Sequence, residues 1–179
     1  MFSPRALIFA LFALLAASST LASPIDAPTN CSNPAPMTCN FYTDCLETAH
    51  PCGADGYAEG YGSVYCNAFK DNINRFSPKG QVWIQNVMHC LQVDLIPVIT
   101  QDLTCPKIKD FAFGTHPGCY VQAGFCKLPP TDLAVLLNIV GLKELLSPET
   151  ILQGLKVGGD CSKEYIADII SVIFKHHGI

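Results

Sequence analysis

Cysteine is the residue type in this sequence with the widest range of possible chemistry. The 179-residue chain contains ten cysteines, an even number. They could form disulfides, bind zinc or act as nucleophiles. Zinc sites need paired ligands at short spacing, and the sequence contains no C-x-x-C. An even count in an oxidising compartment indicates a disulfide framework with no thiol left over. The residues are Cys31, Cys39, Cys45, Cys52, Cys66, Cys90, Cys105, Cys119, Cys126 and Cys161.

A glycine- and tyrosine-rich stretch, CGADGYAEGYGSVYCNAF from Cys52 to Phe69, raises three further possibilities. A phosphate-binding P-loop needs Gly-Lys-Ser/Thr after its glycines, but the chain has no lysine before Lys70. A calcium-binding EF-hand loop needs oxygen ligands at alternate positions, but tyrosine and alanine stand between Asp55 and Glu59. The G-x-S-x-G string of a serine nucleophile is also absent. The order and spacing of the residues therefore exclude all three kinds of site.

The aromatic residues of this stretch predict a helix instead. They follow at four-residue steps and so share one helical face: Tyr57, Tyr61, Tyr65 and Phe69. We expect this face to be buried in the core rather than exposed as a ligand-binding stripe. Gly60 and Gly62 would each cost such a helix about 1 kcal/mol. Their presence indicates either close packing or a helix that begins nearer Ser63, after a turn at Gly53.

The five histidines form no catalytic or metal-binding pattern. His89 precedes a cysteine, but a cysteine in a disulfide cannot act as a nucleophile. His50 and His116 each precede a proline, which is typical of turns. His176 and His177 are adjacent, which is an awkward arrangement for binding one ion, so we expect a solvated tail. The sequence therefore predicts no enzyme, no metal site and no cofactor.

Three apolar faces with helical spacing lie in the first two thirds of the chain. The first comprises Phe41, Tyr42, Cys45 and Leu46. The second comprises Val82, Trp83, Ile84, Val87, Met88, Leu91 and Leu95. The third comprises Cys105, Ile108, Phe111 and Ala112. Pro97 should end or kink the second helix, and Gly114 and Pro117 should stop the third.

Clear capping signals mark the helices of the remaining third. Thr131 to Val140 is followed by Gly141 as its stop. Ser147–Pro148 supplies a cap and a first-turn proline for Glu149 to Val157. Lys163 to Phe174 is apolar on more than one side, so this helix should be well buried. The sequence predicts an all-α, compact, disulfide-stapled domain of about six to seven helices.

The N-terminal region predicts export. Residues 1–22 have the features of a signal peptide, because Arg5 precedes an apolar core, Ala6 to Ala17, that is too short to span a bilayer. Residues 23–36 are rich in proline and polar residues, which predicts an extended N-terminal arm. The helical domain then covers residues 37–179.

Charge and hydropathy argue against two classes of partner. The formal net charge is −4, so nothing attracts a phosphate backbone and nucleic acid is not expected. The longest apolar run after the signal peptide, Ile166 to Phe174, is too short for a membrane span. Asn30-Cys31-Ser32 is an N-glycosylation sequon, which predicts a glycan at Asn30. A disulfide at Cys31 could hinder its attachment.

The cysteine intervals and four short strings together resemble a known family. From Cys66 onward the gaps contain 23, 14, 13, 6 and 34 residues. The strings are F-x-x-x-C-L-E from Phe41, C-x-x-F from Cys66, G-x-x-x-x-x-x-x-x-x-C-L from Gly80 and C-Y-x-x-x-x-x-C from Cys119. In these features the sequence resembles the stanniocalcins, secreted disulfide-bonded glycoprotein hormones. The likeness covers Cys31 to Cys161.

The resemblance implies a disulfide pairing that the sequence alone cannot select. The implied pairs are Cys31 with Cys45, Cys39 with Cys66, Cys52 with Cys105, Cys90 with Cys119, and Cys126 with Cys161. The sequence departs from the family in two respects. The interval from Cys52 to Cys66 is longer, so the glycine-rich stretch reads as a local insertion. The C-terminal extension, with the eleventh cysteine that links two hormone chains, is absent, so a monomer is expected.

The resemblance also implies a function. It favours a hormone or regulatory ligand that binds an extracellular receptor or target protein, with a link to calcium and phosphate homeostasis. Some members of the family inhibit secreted metalloproteases. The alternative is a secreted lipid- or small-ligand-binding module or effector, in which Thr131 to Val140 and Lys163 to Phe174 would line a cavity. A lipolytic or peptidase-like enzyme would need a histidine beside a carboxylate in a cleft.

Overall fold

The computed structural model describes residues 29–141, 156, 159 and 161–177. Within them the chain forms six helices and no β-strand, which confirms the predicted all-α class. The helices are α1 (Phe41–Glu47), α2 (Ala58–Gly62 continuing directly into Ser63–Asp71), α3 (Pro78–Asp94), α4 (Cys105–Gln122), α5 (Pro130–Val140) and α6 (Lys163–His177). Short 3-10 turns lie at Ile73–Arg75, Ile96–Thr100 and Phe125–Lys127.

Helix α1 is wound as a π-helix, with hydrogen bonds from each residue to the fifth one along. Its predicted apolar residues are all buried: Phe41, Tyr42, Cys45 and Leu46. Thr43 and Asp44, which lie between these two pairs, are exposed. The spacing of the apolar pairs therefore sets which side of α1 faces the core.

Helix α2 begins inside the glycine-rich stretch. Its first turn, Ala58–Gly62, is π-helical, and regular α-helix starts at Ser63. A Cβ atom at Gly62 would lie 2.5 Å from Cδ1 of Tyr42, so only glycine fits against that ring. Gly53 has a φ of 70°, which supplies the turn that follows Cys52. Both explanations expected for the glycines, close packing and a later α-helical start, therefore apply.

The N-terminus of α3 is fixed by a buried carboxylate from α5. The Ser77 hydroxyl accepts a hydrogen bond from the Gly80 N–H at 3.2 Å, and Pro78 occupies the first turn. Asp132, which is 1% exposed, accepts hydrogen bonds from the Ser77 N–H at 2.8 Å and the Ser77 hydroxyl at 2.7 Å. A negative charge at a helix N-terminus is favourable, so this contact joins α3 and α5.

Helix α3 lies against the core along one face. Its buried apolar residues are Trp83, Ile84, Val87 and Met88. Val82, which we expected on the same face, is 55% exposed because neighbouring helical residues point about 100° apart. The α-helix ends at Asp94, and Pro97 lies in the 3-10 turn that follows. The predicted effect of this proline is confirmed.

Helix α4 contradicts two expectations. It runs through Gly114 and Pro117 to Gln122, instead of stopping at them. Proline inside a helix loses one backbone hydrogen bond, but Pro117 is buried and the bridge at Cys119 holds the segment after it to α3, which offsets the cost. Phe111, expected in the core, is 40% exposed. The buried face instead uses Ile108, Ala112, His116 and Cys119.

Helix α5 ends as predicted, at Gly141 with a φ of 77°. Helix α6 packs against α5, and none of its described side chains is fully buried. Ile170 is 48% exposed, and the described side chains that pack against the core, Tyr165 and Val172, are only partly buried. A peripheral helix needs to cover only one stripe of its surface, and α6 leaves apolar surface in contact with solvent.

Some sequence-based predictions fall on other parts of the chain. Residues 1–28, with the expected signal peptide and the start of the arm, lie outside the described residues. So do Ser147–Pro148 and the predicted helix from Glu149 to Val157, apart from Lys156. In the described part of the arm, the side chain of Pro34 is fully buried. The arm therefore packs against the helical domain at this residue.

Candidate functional site

The sulfur atoms are used as covalent cross-links. The bridges are Cys31–Cys45, Cys39–Cys66, Cys52–Cys105, Cys90–Cys119 and Cys126–Cys161. The structure thus brings the cysteines together in the pairs that the family resemblance implies. All ten are consumed, and no free thiol remains.

Two separate bridges anchor the glycine- and tyrosine-rich stretch. Cys52, at its start, is bonded to Cys105, the first residue of α4. Cys66, within α2, is bonded to Cys39, just before α1. The sequence separations are 53 and 27 residues, for which the chain-entropy model gives a stabilisation of roughly 3 to 4 kcal/mol each. The stretch is therefore held to two different parts of the core.

One cluster has the composition of a metal site. The sulfur atoms of Cys90 and Cys119 and a carboxylate oxygen of Asp94 all lie within 4.8 Å of one another. The two sulfurs are bonded to each other, however, and a metal ligand must be a thiolate. This cluster therefore does not support zinc binding. Partial burial raises the pKa of the Asp94 carboxyl.

Four of the five histidines lie at the ends of helices or beside a disulfide bridge. Nε2 of His50 lies 2.8 Å from the carbonyl oxygen of Val98, which ties the end of α1 to the turn after α3. His89 is half-buried beside Cys90, which is oxidised. The backbone of His176 and His177 forms the last turn of α6, where a tail was expected.

Among the histidines, His116 differs most from the prediction, which placed it in a turn. It lies in the middle of α4 and is 1% exposed. Its Nε2 is 3.0 Å from the hydroxyl of Tyr57, and its Nδ1 is 3.2 Å from the hydroxyl of Tyr120. Both ring nitrogens therefore lie within hydrogen-bonding distance of a tyrosine hydroxyl, and the tautomer sets which nitrogen donates. The sequence signal that we missed is its four-residue spacing from the buried Ala112.

The tyrosine stripe faces the core, as predicted. Tyr57 is buried, and the other three members, Tyr61, Tyr65 and Phe69, are half-buried. The ring of Tyr61 is stacked on that of Tyr57, with centroids 5.7 Å apart, and meets the ring of Phe113 edge-on at 4.7 Å. We call Tyr57, Tyr61, Phe113, His116 and Tyr120 the aromatic cluster. It joins the glycine-rich stretch to α4.

The buried tyrosines act as neutral hydrogen-bonding groups. Loss of contact with water raises the pKa of the hydroxyls of Tyr42, Tyr57 and Tyr120 well above the ordinary tyrosine range. Burial also raises the pKa of Tyr165 to about 12, and its hydroxyl donates to the Phe125 carbonyl at 2.6 Å. These phenols stay protonated at neutral pH, so they cannot serve as phenolate nucleophiles.

A shallow cleft lies beside the bridge between Cys52 and Cys105. Its volume is about 180 Å³, below the range of roughly 300–1,000 Å³ that is typical of small-molecule sites. The lining residues are Asp55, Gly56, Tyr57, Cys105, Pro106 and Lys109. The side chain of Lys109 lies over the ring of Phe113, with Nζ 5.7 Å from the ring centroid. The cleft is too small to enclose a drug-sized ligand.

Helices α5 and α6 do not favour the lipid-binding alternative. They pack against each other, with Leu133 and Leu137 of α5 buried. Tyr165 and Val172 of α6 pack against the core cluster. Among the described residues, these four side chains are therefore used in packing, whereas Ile170 of α6 is 48% exposed.

One described segment, Pro78–Thr100, is long and apolar enough to cross a membrane, judged by length and composition alone. It consists of α3 and the turn that follows. Buried core helices of soluble proteins meet the same criterion, and α3 carries the buried Trp83 and the bridge at Cys90.

Comparison with known proteins identifies the family. A model of the stanniocalcin family matches residues 20–178, which is most of the chain. No curated protein matches the sequence, and no solved structure matches it either. The family is one of secreted, hormone-like glycoproteins. With its five bridges and its helical fold, this chain belongs to the stanniocalcin family.

Proposed function

We propose that this protein is a secreted regulatory ligand that binds an extracellular receptor or target protein and catalyses no reaction. The observation that carries the proposal is the use of all ten cysteines as cross-links in a chain of a hormone family. Such bridges persist in oxidising compartments and make a stable scaffold for a binding surface. A signal peptide at residues 1–22 would deliver the chain to that compartment.

The surroundings of the potentially reactive side chains support binding rather than catalysis. His116 is enclosed by Tyr57 and Tyr120, and His50 contacts a backbone carbonyl. His89 adjoins a bridged cysteine that cannot act as a nucleophile. In the described residues these groups serve packing and cross-linking. A regulatory ligand needs a rigid surface, which such packing provides.

We propose further that the protein acts as a monomer and is linked to calcium or phosphate handling. In support of the monomer, every cysteine is paired within the chain, which leaves no thiol for a disulfide to a second chain. The link to ion handling rests on family membership alone. The receptor or target would be a protein of the extracellular space.

The experiment is an ion-flux assay with defined protein. Oxidised, purified protein is added to an epithelial monolayer from the source organism, and calcium and phosphate transport are measured. The control is the same protein after reduction and alkylation, which has the same sequence without the scaffold. A change in flux with the oxidised form alone supports the proposal. Equal effects of both forms, or turnover of a substrate that His50 or His116 variants abolish, would contradict it.

A further inference from the structure

Asp94 has an unusual position for an acidic residue. It is the last residue of α3, four residues after Cys90, and its Oδ2 lies 3.4 Å from Sγ of Cys119. Cys119 has no S–H to donate, because it is bonded to Cys90. The contact therefore places a carboxylate directly against one sulfur of the bridge that joins α3 to α4.

Helix stability does not explain this placement. The C-terminus of a helix carries partial negative charge, which disfavours aspartate and favours lysine or arginine. The last turn of α3 contains no basic residue. Asp94 therefore stands where its charge opposes the helix, and its close neighbour is the sulfur of Cys119.

We propose that Asp94 protects the Cys90–Cys119 bridge from exchange with anionic small-molecule thiols. Cys90 is half-buried and Cys119 is 1% exposed, so an incoming thiolate reaches the Cys90 sulfur. A new bond forms between the reagent sulfur and Cys90, and the Cys90–Cys119 bond breaks. The electron pair leaves on the Cys119 sulfur as a thiolate. A second thiol then releases Cys90, and the reagent ends as its own disulfide.

The Asp94 carboxylate opposes this reaction in two ways. It repels an approaching anion, as like charges do at short range. It also destabilises the thiolate that forms on Cys119, which burial already disfavours, and a poorer leaving group slows exchange. Both effects act on this bridge because the carboxylate contacts it. The two longest described helices thereby stay joined when extracellular thiols are present.

The test compares wild-type protein with Asp94→Asn and with Asp110→Asn, an acidic position on α4 that lies nine residues before Cys119. Each protein is incubated with reduced glutathione, and samples are alkylated over time. Peptide mapping by mass spectrometry then gives the opening rate of each of the five bridges. A neutral phosphine replaces glutathione in a parallel series, and a third series adds 1 M salt to screen charge.

We expect Asp94→Asn to open Cys90–Cys119 about five-fold faster with glutathione, while the other four bridges and the Asp110→Asn protein keep wild-type rates. The acceleration should be smaller with the phosphine and in high salt, and the melting temperature should not fall. Unchanged opening of this bridge would overturn the proposal. So would equal acceleration of all five bridges with a lower melting temperature, because that pattern indicates general loosening of the fold.

Discussion

The hydroxyl of Tyr57 and Nε2 of His116 lie 3.0 Å apart, although 59 residues separate them in the sequence. One comes from the glycine-rich stretch and the other from the middle of α4. The contact is buried, where polar groups are normally hydrogen-bonded. It fastens the glycine-rich stretch to α4.

Removing this hydrogen bond should lower stability. Tyr57→Phe removes the hydroxyl that contacts Nε2 of buried His116, and loss of a buried hydrogen bond typically costs about 1 to 3 kcal/mol. Tyr120→Phe should have a similar effect at Nδ1. Val64→Ala, at a position 52% exposed on the same helix as Tyr61, should stay within about 0.5 kcal/mol of wild type. Urea denaturation with the disulfides intact measures all three, and a neutral Tyr57→Phe would contradict the account.

Two glycine substitutions should have opposite effects. Gly62→Ala places a Cβ 2.5 Å from the Tyr42 ring, and overpacking of this kind costs about 1 to 3 kcal/mol. Gly114 lies inside α4, and a Cβ at this position would meet nothing within 4 Å, so Gly114→Ala should be neutral or stabilise by up to about 1 kcal/mol. Thermal melting of the two variants tests this contrast. Equal destabilisation by both would refute the assigned packing.

The buried tyrosines predict a loss of stability in alkali. Their folded-state pKa values are raised, so they stabilise the fold below the unfolded value of about 10. That contribution is lost as the pH rises through the folded pKa values, which burial raises to about 12 for Tyr165 and well above the ordinary tyrosine range for Tyr42, Tyr57 and Tyr120. After a rapid jump to high pH, phenolate absorbance should show the hydroxyls of Tyr42, Tyr57 and Tyr120 ionising only as the protein unfolds. Immediate ionisation of all tyrosines near pH 10 would contradict their burial.

Asn30 should carry an N-linked glycan. It is exposed, and its Oδ1 accepts hydrogen bonds from the Ser32 N–H at 3.1 Å and the Ser32 hydroxyl at 2.9 Å, so the sequon lies at the surface. Treatment of the secreted protein with an N-glycosidase should reduce its mass. Asn30→Gln and Ser32→Ala proteins should have the lower mass before treatment. An unmodified wild-type protein would contradict this prediction.

The sequence predicted those parts of the fold that depend on local spacing. The apolar pairs of α1 and the stop at Gly141 are local signals, and the structure agrees with both. The predicted helix stop at Pro117 was wrong. The lost backbone hydrogen bond is a local effect that the sequence shows, whereas the Cys90–Cys119 bridge that offsets it joins α4 to a helix distant in the sequence. The exposure of Ile170 on α6 could not be predicted, because composition shows how apolar a helix is but not which of its residues contact other helices.

The contacts of the candidate site depend on tertiary structure. His116 next to a proline looks like part of a turn until α4 is known to continue past it. Asp132 and Ser77 are 55 residues apart, and no local pattern connects them. The cysteine pairing could be named because a family resemblance supplied it, whereas the intervals alone permit many connectivities.

The central claim is that every sulfur serves the scaffold. The most direct measurement is disulfide mapping by mass spectrometry on the unreduced, secreted protein, with free thiols alkylated and metal content determined on the same sample. The account predicts five cross-linked peptide pairs, Cys31–Cys45, Cys39–Cys66, Cys52–Cys105, Cys90–Cys119 and Cys126–Cys161, with no alkylated thiol. Different pairs, alkylated cysteines or stoichiometric zinc would contradict it.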